Sequence, residues 1–450
     1  MDDDSNWVKA RSSIVWLLAI GVSFGAVWWI ERESGKELIA RQGAAAVAAP
    51  VRVSELPASP DLPAVPAPHP LTDPEKQWAR IAWTYFEKNT DATTGLAASV
   101  EGFPSTTLWD TASYLLALVA ARDLDLIDQA AFDARMGRAL ESLGKLPLYG
   151  NVLPNKSYDI RSLRMTDYRN EPSEGGIGWS AIDIGRLLVP LNVVAWRHPR
   201  HTEAARKVIA RWNTAQLAHG GQLFGMQAGE PGAAPQAAQE GRLGYEQYAA
   251  RTLALMGLDV DTASNPFAHL QLVDIDGIRV PVDDRDPQRF GAINAVVSEP
   301  WVLQGLEFGW TRHSREIAWR VFRAQEAHAG RTGQPVAVTE DHVDQAPYFV
   351  YNAVYSGGKP WVAVTEKGQE VQQLRTLSTK AAFGWNALMR TPYAAKLVEA
   401  VAPLNDPARG WFAGRYDATG QPNRSVNANT NAVVLESLAY VARGPALGFR

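Results

Sequence analysis

Carboxylates and large aromatic residues recur together at a few points in this chain, each time just ahead of an apolar, helix-like run. Trp109-Asp110, DYRNEPSEGGIGWS from Asp167, GRLGYEQY from Gly241, SEPW from Ser298 and TEDHVDQAPYFVYN from Thr339 have this character, and the polar NRSVNANTNA from Asn423 leads into the last such run. Paired carboxylates beside aromatic platforms are what carbohydrate cleavage needs. A protonated acid gives its proton to the leaving glycosidic oxygen, and a second carboxylate activates water or attacks directly. The candidate acids and bases are Glu246, Glu299, Asp341, Glu340, Asp110 and Glu174. Trp109, Arg169, Trp179, Tyr245, Trp301, Tyr348, Tyr351 and Asn352 are the candidate substrate-binding residues.

Several of these residues also have an architectural reading. Asp110 stands where an N-cap would, just before an apolar helix, and Ser180 with Asp183 has capping-box spacing. Glu299 precedes Pro300, a natural first helical residue, so an interaction with the helix dipole accounts for it as well. Glu246 differs. It falls in the first turn of an otherwise apolar helix, between Tyr245 and Tyr248, where a carboxylate costs free energy unless it is wet or paired. An acid at any of these points needs its pKa raised by burial against aromatics, whereas a helix N-terminus favours the anion.

Other chemistries lack their residues. The chain has no cysteine, which removes thiol catalysis and zinc-thiolate sites. Asp341-His342 has no HExxH context, and VDIDGIRVPVDD lacks the ligand order of an EF-hand, so no metal is expected. VDDRDPQ lacks the DDxxD spacing of isoprenoid cyclases, and there is no GxSxG elbow or P-loop. A net charge of −4 with no basic stripe points to neither nucleic acid nor an anionic membrane surface. No cofactor is expected, and the sequence names no protein partner.

Two kinds of helix must position the candidates. Pro74 to Asn89, Gln129 to Leu146, His201 to Leu217, Ser314 to Ala329 and Pro392 to Leu404 are amphipathic and read as outer helices. The segments beginning at Ser113, Ile182, Tyr245, Pro300, Lys380 and Ala428 are apolar nearly all round, as expected of helices enclosed by other helices. Only the fourth outer helix of an (α/α)6 toroid is missing. In its place HLQLVDIDGIRVPVD alternates around Asp276-Gly277, a β-hairpin pattern. Pro190, inside an inner helix, predicts a kink. The fold class is therefore all-α, an (α/α)6 toroid with small β-hairpin insertions. In such a ring the loops leading into the inner helices converge on one end of the cavity, where the carboxylates and aromatics meet.

The first residues carry a different signal. Residues 12–30, SSIVWLLAIGVSFGAVWWI, are uncharged and just long enough, at about 1.5 Å per residue, to cross a hydrocarbon core of about 30 Å. The apolar run is longer than that of a signal peptide and ends in ERESGKE rather than a small-residue cleavage site, so it reads as an anchor. Lys9 and Arg11 are matched by Arg32, Lys36 and Arg41, and the positive-inside count does not orient it. The absence of cysteine agrees with an oxidising compartment. Residues 1–11 are then a cytoplasmic tail, 31–72 an Ala/Pro-rich linker and 73–450 the toroid domain. An extended linker of about thirty Pro-rich residues reaches up to roughly 90 Å.

The strings TTLWDTASYLLALVAA, DYRNEPSEGGIGWSAIDIGRLL, GRLGYEQYAA, SEPWVLQGLEFGW, TEDHVDQAPYFVYN and NANTNAVVLESLAY, spread from about Phe86 to Val441, resemble the bacterial domain of unknown function 3131 family. That family in turn resembles the glucoamylase-like (α/α)6 toroids that act on glucans. The resemblance implies an envelope setting, with the soluble domain in the periplasm beside the inner membrane, and a polysaccharide or oligosaccharide substrate. It supplies no residue-by-residue match to a glucoamylase catalytic pair, because the last inter-helix loop offers Asp406 and Asp417 but no glutamate. Two functions stand on this reading. One is a membrane-anchored periplasmic enzyme that hydrolyses or remodels an envelope glucan by carboxylate acid/base catalysis. The other is a non-catalytic glycan-binding subunit of an envelope polysaccharide synthesis or export system.

Overall fold

The alternation of wet-faced and wholly apolar segments is realised as two concentric sets of helices. A computed structural model describes residues 50–229, 233–287 and 293–448. The inner helices are α2 (Leu108–Asp123), α4 (Ala181–Arg197), α6 (Tyr245–Leu255), α8 (Glu299–Leu303), α10 (Thr379–Met389) and α12 (Ala428–Arg443). Each packs on the next, and α12 packs back on α2 to close the ring. The outer helices are α1 (Asp73–Asn89), α3 (Gln129–Lys145), α5 (Thr202–Ala210), the single turn α7 (Asp261–Ser264), α9 (Arg312–Thr332) and α11 (Pro392–Val401). The helix expected to continue to Leu217 stops at Ala210, and α4 runs through Pro190.

Local chemistry explains the boundaries. Thr72 and Glu75 form a capping box on α1, with Pro74 in its first turn. Between α4 and α6 the helices approach so closely that a Cβ on Gly185 would lie 2.7 Å from that of Ala249. That contact demands glycine. Helix α8 passes directly into a π-helical turn, Gln304–Phe308, which carries Glu307 into the middle of the ring.

Where the fourth outer helix would stand, α7 shrinks to a turn and the strands Leu270–Ile275 and Ile278–Asp283 form the expected hairpin against α9. Its two turn residues, Asp276 and Gly277, both have positive φ, as a type I′ turn requires. The Asp276 carboxylate accepts from His328 at 2.8 Å, Arg331 at 2.9 Å and the Trp361 indole at 3.0 Å, which pins the turn to α9. The β content exceeds small insertions. Sheets also form in the loops leading into α4, α10 and α12, among them one in which Phe349–Ser356 pairs with Glu340–His342 on one side and Lys359–Val364 on the other.

Residues 50–72, read from sequence as linker, lie along the domain. Val51 and Arg52 pair with the hairpin, Ser59 donates to Glu316 at 2.9 and 2.6 Å, the Trp319 indole donates to Asp61 at 3.1 Å, and Arg390 donates to the Ala67 carbonyl at 3.0 Å. No helix among the described residues is long and apolar enough to cross a membrane. The expected spanning helix at residues 12–30, with the tail before it and the first part of the linker, lies outside the described residues.

Candidate active-site cleft

Four inner-helix N-termini meet at one carboxylate. Glu299, first residue of α8 and 2% exposed, accepts from the Trp109 indole of α2 at 3.2 Å and from Asn429 of α12 at 2.7 Å, and its other oxygen contacts the Lys380 ammonium of α10. Thr339 accepts its backbone N–H at 3.2 Å. Lys380 also stands 3.9 Å from Asp341, which accepts from Ser378 at 3.2 Å and Thr376 at 3.4 Å. Burial alone would lower the Lys380 pKa, but Glu299 and Asp341 raise it above the ordinary value. Burial raises the Asp341 carboxyl well above its usual range against the pull of Lys380, and pushes the neighbouring Glu340 up to about 7.

A second polar layer lies one or two turns deeper. Arg186 of α4 is wholly buried and donates to Glu307 at 2.8 Å, Tyr248 at 3.1 Å and Ser113 at 3.2 Å. Its guanidinium also covers the Trp109 ring at 4.5 Å, which fixes that indole from below. Tyr248 donates to Glu307 at 2.6 Å. Trp109 thus links the two layers.

A further pair of carboxylates stands where the sequence suggested only a cap. Ser180 does cap α4, accepting from the Asp183 N–H at 3.1 Å. The Asp183 carboxyl is half-buried and in no ion pair among the described residues. Burial and then the charge of Glu240 raise its pKa to about 7, with Lys156 opposing. Glu240 accepts the N–H groups of Ala181 and, at 3.3 Å, Ile182, so it closes the N-terminus of α4 from outside. Burial raises its pKa, while Lys156 and those two N–H groups oppose the rise. Tyr168 is 57% exposed, yet burial of its hydroxyl and the fields of Asp183, Glu366, Glu240 and Tyr351 all raise its pKa. Tyr351, paired in register with Glu340, feels Glu340, Glu366 and Asp183. His342 is half-buried, and burial lowers its pKa against Asp110 and Glu299.

Of the residues singled out from sequence, the fold gathers Trp109, Glu299 and Asp341 around Lys380, with Glu340 and Tyr351 on the adjoining strand pair. Tyr245 packs edge-on against Trp109 at 5.5 Å. Asp110 is held by Ser99 at 2.5 Å and by the α2 cap Thr107 at 2.8 Å. Glu246 is paired with Arg285 at 2.6 Å and accepts from Gln239 at 3.1 Å, which supplies the partner its buried position demanded. Trp179, Trp301 and Asn352 are enclosed in the packing, at 5%, 2% and 0% exposure, and offer no face to a ligand. Glu174 and Tyr348 are exposed on loops, and exposed Arg169 pairs with Asp167 at 3.4 Å. Among the described residues no group of three or more His, Asp or Glu is arranged to hold a metal ion.

Asp183, Glu240, Lys380 and Arg186 were not singled out for the site. For Asp183 the signal was present but ambiguous, since a carboxylate at the third position of a helix is the usual partner of a Ser cap. Glu240 carried a weaker one, a carboxylate immediately before Gly241 at φ 92°. Buried cations inside apolar helices are themselves a signal, because such a charge needs a partner.

The arrangement is shared with known folds. The family described as "Protein of unknown function (DUF3131)" matches residues 77–444. No curated protein matches the chain in sequence. Among solved structures, a putative glucoamylase from Bacteroides caccae is similar with a TM-score of 0.61 and 12% identity, over 83% of this chain and 94% of that one. The endo-β-1,2-glucanase of Chitinophaga pinensis, solved with sophorotriose and glucose, is similar with a TM-score of 0.58 and 10% identity, over 84% of this chain and 94% of that one. A Talaromyces funiculosus endo-β-1,2-glucanase solved with sophorose has a TM-score of 0.55 and 13% identity, over 83% and 85% of the two chains. At these identities the likeness establishes the glucoamylase-like (α/α)6 toroid.

Proposed function

The chain belongs to the DUF3131 family, and from that premise we propose that it is a glycoside hydrolase that cleaves a glucan in the cleft at the N-terminal ends of its inner helices. The observation that carries this reading is the pair Asp183 and Glu240. Two half-buried carboxyls, neither in an ion pair among the described residues, flank the start of α4, and burial, followed by the charge of Glu240, raises the pKa of Asp183 to about 7. Neighbouring carboxyls that feel each other's charge lose their protons in separate steps, which lets one act as acid while the other acts as base. Asp183 is the proton donor to the glycosidic oxygen. Glu240, with two N–H groups and the α4 dipole favouring its anion, takes a proton from the water whose oxygen attacks the anomeric carbon as the bond to the leaving oxygen breaks. Tyr168, Tyr351 and Trp109 supply rings for sugar faces. Glu299, saturated by its donors, holds Trp109 rather than reacting.

The glucan class is supported by the neighbours of known activity, whose names specify endo-β-1,2-glucanases. Linear β-1,2-glucan is therefore the first substrate. Residues 12–30 anchor the enzyme in the bacterial inner membrane with the domain in the periplasm, a placement supported by the apolar run and the absence of cysteine.

Asp183→Asn and Glu240→Gln should each reduce turnover of linear β-1,2-glucan by at least a thousandfold while leaving oligosaccharide affinity within a few-fold, because stacking and hydroxyl contacts persist. If wild type binds β-1,2-glucan but releases nothing, and only removal of Tyr168, Tyr351 or Trp109 weakens it, the chain is a glycan-binding subunit instead.

A further inference from the structure

In the strand pair Glu340–His342 and Phe349–Ser356, the register sets Glu340 opposite Tyr351, Asp341 opposite Val350 and His342 opposite Phe349. Side chains alternate between the two faces of a strand, so Glu340, His342, Phe349 and Tyr351 share one face and Asp341 and Val350 the other. The second face is closed. Asp341 lies 3.9 Å from Lys380, and Val350 packs with Val343, Leu374 and Tyr416. The first face is partly open, with His342, Phe349 and Tyr351 all half-buried. Their rings form a continuous row, edge to face at each step, with centroids 5.5 Å apart from Tyr351 to Phe349 and 5.2 Å from Phe349 to His342. Neither the Tyr351 hydroxyl nor a His342 ring nitrogen has a hydrogen-bond partner among the described residues, and neither belongs to the buried polar atoms that lack one. Both are open to a ligand.

The two ends of the row have different surroundings. Tyr351 packs on the same apolar cluster as Tyr245, whose ring meets Trp109 at 5.5 Å, and the charge of Asp183 reaches its hydroxyl. The His342 end is clamped from behind. Asn423 donates to the His342 carbonyl at 2.8 Å, and Asp344 accepts from Tyr416 at 2.5 Å and from the Arg424 N–H at 2.8 Å. A wall held in this way costs little ordering when a ligand binds.

We infer that this row is a track of three consecutive sugar subsites, at Tyr351, Phe349 and His342, by which the cleft selects glucan chains long enough to cover it and to extend past the cleaved bond. The inference rests on the cleft being the glycan site and adds to it the length of chain that the site takes. Each step along the row is close to the length of one pyranose. Phe349 offers only an apolar ring, suited to the C–H face of a sugar, while Tyr351 and His342 on either side bring groups that bond hydroxyls. Burial lowers the His342 pKa, so near neutral pH one ring nitrogen donates and the other accepts, as a sugar hydroxyl also does.

The test is calorimetric titration of full-length chain carrying Asp183→Asn with β-1,2-linked gluco-oligosaccharides from the disaccharide upward. Affinity should rise at least tenfold between the disaccharide and the tetrasaccharide. Phe349→Ala in the same background should weaken the tetrasaccharide at least tenfold and flatten the dependence on length. Phe349→Tyr, which keeps the ring, should restore both, an outcome that separates a lost platform from a damaged fold. The track is overturned if no oligosaccharide binds, if affinity ignores length, or if Phe349→Ala binds the tetrasaccharide as its parent does. Turnover by the wild type is scored separately. Binding that follows Phe349 without any cleavage keeps the track and removes the hydrolase reading, and cleavage that ignores Phe349→Ala does the reverse.

Discussion

Replacing Lys380 by Met should unlock the top layer of the ring. The lysine side chain is 4% exposed, and those of Glu299 and Asp341 are each 1% exposed, so all three groups are out of water. Removing the cation that stands between them leaves Glu299 with the Trp109 and Asn429 donors. Breaking a buried pair from one side costs about 3–5 kcal/mol, because the remaining charge stays buried. Over roughly 400 folded residues, with an unfolding entropy of about 2.1 cal/mol/K per residue, that loss lowers Tm by about 4–6 °C. Chemical denaturation followed by far-UV circular dichroism, with calorimetry for Tm, measures both quantities. The double variant K380M/E299Q, which removes both charges, should be more stable than the sum of the single losses predicts. The sign with pH is also fixed. A lysine whose folded pKa is raised contributes stability that is complete below its unfolded pKa and disappears as pH rises through the folded value. The wild type should therefore lose more stability than K380M above about pH 10.4. A loss below about 1 kcal/mol, or strict additivity in the double variant, would refute the reasoning.

Asp183 gives a second pH signature. Its pKa of about 7 means that kcat/KM falls as pH rises through that value and the donor loses its proton. The folded state holds this proton after the unfolded chain has released it, so stability contributed here declines from about pH 4 to about pH 7, and D183N should flatten that decline. Glu246→Gln should cost about 1.5 kcal/mol, since Arg285 loses one charged partner but keeps Asp283 at 2.6 Å, while leaving kcat unchanged, checked by denaturation and initial rates. Activity loss without destabilisation would return Glu246 to the catalytic set. External protease on spheroplasts should release a domain beginning before Val51, because residues 51–69 are hydrogen-bonded to the domain, and a product starting between Pro57 and His69 would contradict that contact.

Much of the architecture was legible because it rests on local periodicity. The wholly apolar segments at Ser113, Ile182, Tyr245, Pro300, Lys380 and Ala428 form the inner ring, and Asp276-Gly277 turns the hairpin that replaces an outer helix. What sequence could not carry was the identity of partners distant along the chain. Glu246 is a structural anion because Arg285, beyond a separate hairpin, reaches it. Trp179 and Trp301 read as platforms until packing enclosed them. Asp183 read as a capping residue because the cap is real, and only the placement of Glu240 beside it gives the carboxyl a second role. The Pro-rich stretch before Asp73 lacks helical period, as a linker does, yet it lies along α9 through contacts that periodicity does not encode.

The most direct measurement is the product analysis of purified full-length chain incubated with linear β-1,2-glucan at pH 6, by chromatography of released oligosaccharides and reducing-end assay. Wild type should release short oligosaccharides, and D183N should release none while still binding the polymer. A wild type that releases nothing from β-1,2-glucan or from a panel of α- and β-linked glucans that includes its host's envelope glycans, or a D183N variant as active as wild type, would contradict catalysis by the Asp183 and Glu240 pair.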